Sequence, residues 1–118
     1  MTMDEDLLAT VRSIDNVVIR ITKERWEHVI TRHQLEDSLQ ELLATISTPD
    51  MAFGPPEGYP PQKMAIKTFS SLKQKGLATN LAVHYKEISQ EDGFLITAFT
   101  ISNKRLERMV RKWKKVYP

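Results

Sequence analysis

The stretch LATNLAVHYKEISQEDGFLITAFTI, residues 77–101, carries the clearest periodicity in this 118-residue chain. From Leu77 to Ile88 the side chains alternate. Leu77, Thr79, Leu81, Val83 and Tyr85 fall on one face, and Ala78, Asn80, Ala82, His84 and Lys86 on the other. A period of two is the signature of a strand with unequal faces. Asp92-Gly93 is a hairpin signal. The following Phe94–Ile101 (FLITAFTI) is apolar on both faces, as a central strand is. Strand, turn and strand together predict an antiparallel sheet.

Outward from this hairpin, Ser102 or Asn103 is placed to cap a last helix. Leu106, Met109, Val110, Trp113 and Val116/Tyr117 would form its apolar stripe. On the other side, Lys63–Phe69 alternates loosely and predicts another strand. Before it, Gly54–Pro61 (GPPEGYPP) holds four of the six prolines, so it is a loop rather than helix or central strand. Met51–Phe53 predicts a short strand. Leu35, Leu39, Leu42, Leu43 and Ile46 give an amphipathic helix ending near Thr48-Pro49. Trp26, Val29, Ile30 and His33 give an earlier one, with Thr22 as N-cap and Glu24 in its first turn. Asn16–Ile21 is β-branched and predicts a strand. Asp4–Ser13, with Leu7, Leu8 and Val11, predicts a short helix. The expected fold is α+β: N-terminal helices, then a small antiparallel sheet, then a basic C-terminal helix.

Composition limits the chemistry. The length suits one domain over residues 1–118. There is no cysteine, which excludes disulfides, a thiolate metal site and a cysteine nucleophile. No glycine-rich phosphate loop and no HExxH occurs. His28 and His33, five residues apart, diverge by about 140° around a helix and make poor joint ligands for one metal. Neither a metal nor a cofactor is expected. No apolar run approaches the roughly 18–20 residues that cross a bilayer. The start MTMDEDLL is acidic where a secretory signal is basic, so a cytoplasmic protein without membrane attachment is expected.

The net charge of +2 is unevenly spread. Residues 104–115 hold seven Lys/Arg and one Glu, while residues 1–103 hold ten Lys/Arg and fourteen Asp/Glu. Lys104, Arg108, Arg111, Lys112 and Lys115 would share one broad helix face. Such a face suits RNA or an acidic protein, and is also what a solvated helix surface looks like. Arg25, His28 and Arg32 recur at helical spacing opposite the Trp26 stripe. They can hold a phosphate beside a proton donor or acceptor, or simply face solvent. His84 and Lys86 share a strand face, and Thr97 in the next strand joins them if the register allows.

ITKERWEHVITRH (21–33), an amphipathic helix, TPD (48–50), a variable loop, a strand pair and FLITAFT (94–100) together resemble a known group. They are similar to small ribonuclease-like domains of the barnase/EndoU/colicin/RelE-like superfamily, in its phage-associated and colicin D-like branch. The resemblance spans about residues 17–101. It implies a metal-independent endoribonuclease acting on RNA, often tRNA, as a toxin or effector. It implies catalytic roles for His28, His33, a basic residue at His84 or Lys86, and Thr97. The chemistry of metal-free RNA cleavage would then have Lys86 and the Arg25/Arg32 face hold the phosphate and Thr97 donate to a non-bridging oxygen. An acidic antitoxin or immunity protein is the partner it implies. A non-catalytic RNA- or partner-binding module on the same fold is the competing expectation.

Overall fold

The computed structural model describes residues 6–33, 35, 37–55, 62–70 and 79–118. They form strands β1 (Leu7–Arg12) and β2 (Val18–Thr22), helices α1 (Lys23–His33) and α2 (Leu39–Ser47), then strands β3 (Met51–Gly54), β4 (Lys63–Phe69), β5 (Thr79–Glu87) and β6 (Gly93–Ile101). Helix α3 (Asn103–Met109), a 3₁₀ turn (Val110–Lys112) and strand β7 (Lys114–Tyr117) follow. Residues 56–61 of the proline segment, and Leu77 and Ala78 of the alternating stretch, lie outside the described residues.

All seven strands join one sheet in the order β1-β2-β6-β5-β4-β3-β7. The β3–β6 run is an antiparallel meander, as the hairpin pattern requires. The sheet as a whole is mixed, because β2 pairs with β6 in parallel through Ile19↔Gly93 and Arg20↔Phe94. A small, purely antiparallel sheet is therefore not what forms. Gly93 makes the parallel contact possible. A Cβ there would lie 2.5 Å from the Lys86 carbonyl oxygen and 2.7 Å from Ile19 Cδ1, closer than packed atoms approach.

The N-terminus is a second correction. Leu7–Arg12 is a strand, not a helix, paired antiparallel with β2. Its three apolar side chains at 7, 8 and 11 fit a helical repeat, but alternation of Leu7, Ala9 and Val11 fits a strand equally well. The turn chemistry decides between them. Ser13 donates its N–H to the Val17 carbonyl and Asn16 its N–H to Ser13, both at 2.9 Å. Asn16 adopts φ 63°, a left-handed conformation that asparagine tolerates. The hairpin thereby returns the β-branched Val18–Ile21 along β1.

The C-terminal helix is the third correction. α3 and its 3₁₀ turn end at Lys112, and Trp113 is extended at φ −97°, ψ 153°. Val116 and Tyr117 belong to β7, which pairs with β3, not to a helical stripe. Two β-favouring residues directly before Pro118 leave little to sustain a helix. The expected cap is present: Ser102 Oγ accepts from Arg105 N at 3.3 Å.

The sheet is covered on both faces. Leu81, Val83, Tyr85, Leu95, Ile19 and Ile21 pack with Trp26 and Val29 of α1 and with Leu42 and Ile46 of α2. Met64, Ile66, Ala82, Phe99 and Ile101 pack on the other side under Leu106, Met109, Val110 and Trp113. Strand alternation thus sorts β5 residue by residue between two apolar layers.

Candidate functional site

α1 follows β2 without a loop, and Thr22 Oγ1 caps it by accepting from Arg25 N at 3.1 Å. Val29 is fully buried, which fixes the helix's rotation and turns Arg25, His28 and Arg32 outward. These three side chains line one open polar groove with Thr22, Glu24, Glu27 and Thr31. The expected trio is therefore brought together. Glu24 and Glu27 complete the groove and are absent from the residues expected there, Glu24 being read only as a first-turn acid. The signal was in the sequence: Glu24 precedes His28 by four residues, the spacing of same-face neighbours on a helix. His33 is the last residue of α1, and its side chain lies outside what the structure describes.

The second set of candidates sits on the other side of the sheet. His84 pairs directly across from Thr97, so the two share a face. Lys86 follows two residues along β5, opposite Phe94, beyond a bulge in the ladder. Val83 and Tyr85, the residues flanking His84, point into the layer under α1 and α2. His84 itself packs against Phe99, with ring centroids 5.5 Å apart, and edge-on to Trp113 at 5.6 Å. The sheet thus separates His28 from His84, Lys86 and Thr97. The described catalytic candidates His28, Lys86 and Thr97 do not converge on one site.

His84 is half-buried in an aromatic setting. Its Nε2 is buried with no hydrogen-bond partner among the described residues. Burial pushes its pKa below the ordinary imidazole value, because the charged form loses water that nothing replaces.

A third cluster lies at the end of the sheet where β4 begins and β5 ends. Lys63 Nζ donates to both Asp15 and Glu87. Ser13 Oγ donates to Glu87 Oε2 at 2.6 Å. Burial works against the Lys63 charge, but the two carboxylates outweigh it and hold its pKa above the usual value. The hydrogen bond from Lys63 in turn holds Asp15 below the usual carboxylate range. The nearby Tyr85 hydroxyl is buried without a partner among the described residues. Burial, with the charges of Glu87 and Asp15, pushes its pKa up. This is an ion-pair clamp on the β1–β2 turn, with every charge paired.

The basic C-terminal residues are all exposed but not on one helix face. Lys104 and Arg108 belong to α3, Arg111 and Lys112 to the 3₁₀ turn, and Lys115 to β7. Among the described residues no group of three or more His, Asp or Glu side chains is placed to hold a metal ion, and no helix is long and apolar enough to cross a membrane. Comparison with protein-family models, curated proteins and solved structures finds no match to this chain.

Proposed function

We propose that this protein is a metal-independent endoribonuclease whose chemistry takes place in the groove on the outer face of α1. The observation that carries the reading is the set of side chains gathered there: Glu24, Arg25, His28 and Arg32. RNA cleavage without a metal needs a base for the 2′-OH, an acid for the departing 5′-oxygen, and cations on the phosphate. The Glu24 carboxylate removes the 2′-OH proton. The 2′-oxygen attacks phosphorus, and the P–O5′ bond breaks. The His28 imidazolium gives its proton to the 5′-oxygen. Arg25 and Arg32 balance the charge that builds on the non-bridging oxygens. The products are a 2′,3′-cyclic phosphate and a 5′-OH, and DNA, lacking the nucleophile, is not cut.

The test is cleavage of tRNA and of unstructured RNA in EDTA, by wild type and variants on both faces of the sheet. His28→Ala and Glu24→Gln each lose activity by about a hundredfold or more, the usual contribution of a positioned acid or base. Lys86→Ala and Thr97→Val leave it within a few-fold. The opposite pattern would move the site to the His84 face, and no cleavage of any RNA by wild type would end the enzyme reading.

The exposed cations of residues 104–115 favour a second reading, an RNA- or partner-binding module that does not cleave. Its mark is salt-dependent RNA binding that leaves the RNA intact. A toxin or effector role, with an acidic antitoxin or immunity protein as partner, belongs to the first reading. Growth arrest on expression, relieved by His28→Ala, is its test.

A further inference from the structure

A pocket of about 670 Å³ opens between the end of β6 and α3, lined by Phe99, Thr100, Ile101, Arg105, Arg108 and Met109. It is separate from the α1 groove and shares no residue with it. Its floor is apolar: Ile101 is nearly buried, and Phe99 is seated against the His84 ring. Its rim is cationic. Arg105 and Arg108 lie three residues apart on α3, the spacing that places two side chains on one helix face. Both are exposed, and among the described residues neither guanidinium has an ion-pair or hydrogen-bond partner. Glu107, the one acid of this segment, does not line the pocket. Two unneutralised forks beside an apolar floor call for a ligand with a dianionic head and a flat, largely apolar body.

We infer that this pocket binds a nucleoside monophosphate, with the phosphate on Arg105 and Arg108 and the base against Phe99, Ile101 and Met109. Guanidinium forks match phosphate oxygens in pairs, which favours a phosphate over a single carboxylate. A base presents a π face to Phe99 and to the polarizable Met109 sulfur. The pocket volume lies in the range of small-molecule sites. The inference does not depend on cleavage in the α1 groove. If that cleavage occurs, the pocket is a second place where an RNA chain is held.

The experiment is isothermal titration calorimetry of the full chain with adenosine 5′-monophosphate, adenosine, inorganic phosphate and decanoate. The monophosphate binds about tenfold or more tightly than adenosine or phosphate. Arg105→Ala and Arg108→Ala each weaken it about tenfold, as loss of one charge-assisted hydrogen bond of 1.5 kcal/mol or more implies. Both arginines are exposed, so the variants keep the wild-type circular dichroism spectrum. Lys23→Ala, which removes an exposed cation that lines neither the pocket nor the α1 groove, leaves the affinity within about twofold. Phosphate binding as well as the monophosphate would reduce the pocket to a general anion site and overturn the inference. So would decanoate binding as well as the monophosphate, or arginine variants that bind like wild type. Monophosphate binding by a protein that cleaves no RNA would end the ribonuclease reading and leave this one standing. Cleavage without monophosphate binding would do the reverse.

Discussion

His84 is the residue whose position most changes its meaning. On sequence it is a polar residue alternating out of a strand, available for substrate. In the fold it is half-buried between Phe99 and Trp113, and burial lowers its pKa. The consequence is a pH-dependent stability with a definite sign. The unfolded chain takes up this proton at about pH 6.5, and the folded chain only at lower pH. Between those values the unfolded state binds more protons, so stability falls as pH falls. We expect the thermal midpoint to drop between pH 7.5 and 5.5, and to drop less in His84→Leu. Calorimetry at the two pH values decides it, and equal slopes in both proteins would show that His84 is not the group responsible. At the same scale, Arg25, His28 and Arg32 were legible from spacing alone, because one buried stripe on an α-helix dictates what faces outward.

Among the elements, strands with long alternation were readable and short or edge elements were not. β5 and β6 run nine residues each, enough to show their period. β1 has six residues whose pattern satisfies both helix and strand, and only its pairing with β2 resolves the choice. β7 has four, too few to carry any period, and takes its conformation from β3. α3 stops where the chain must turn towards that edge. Two predictions belong here. Gly93→Ala forces a methyl group against the Lys86 carbonyl and Ile19, where β6 lies between two strands, and should cost about 2–3 kcal/mol. Urea denaturation measures it. Ser102→Ala removes the N-cap of α3 at a cost of about 1 kcal/mol. It should also speed hydrogen exchange of the Arg105 amide while leaving the β6 amides unchanged.

At the scale of the whole molecule, the first hairpin is tied to the meander by the charged clamp of Asp15, Lys63, Glu87 and Ser13. Replacing Lys63 by Met leaves two carboxylates close together with no cation between them. The expected loss is about 1–2 kcal/mol at neutral pH, more than an exposed pair yields and less than a fully buried one. The lowered Asp15 pKa gives the sign of the pH effect. That carboxylate stabilises the fold above its unfolded value of 3.8 and loses its contribution as pH falls through the folded value. The gap between wild type and Lys63→Met should therefore shrink below about pH 4. A gap independent of pH would mean that Lys63 contributes through packing alone. The same architecture splits the functional candidates. A sheet covered on both faces keeps the α1 groove and the Arg105–Arg108 pocket apart, so each can be altered without disturbing the other.

By itself the sequence determined which segments form the meander and which helix face carries Arg25, His28 and Arg32. It also determined where positive charge accumulates. These depend on local period, on capping and on composition, all written in neighbouring residues. The tertiary structure decided that the N-terminus is a strand, that β2 joins β6 in parallel, and that the C-terminal basic segment breaks into helix, turn and strand. It also decided that His28 and His84 stand on opposite sides of the sheet. Each of these depends on a pairing between residues distant along the chain, and no local pattern specifies its own partner.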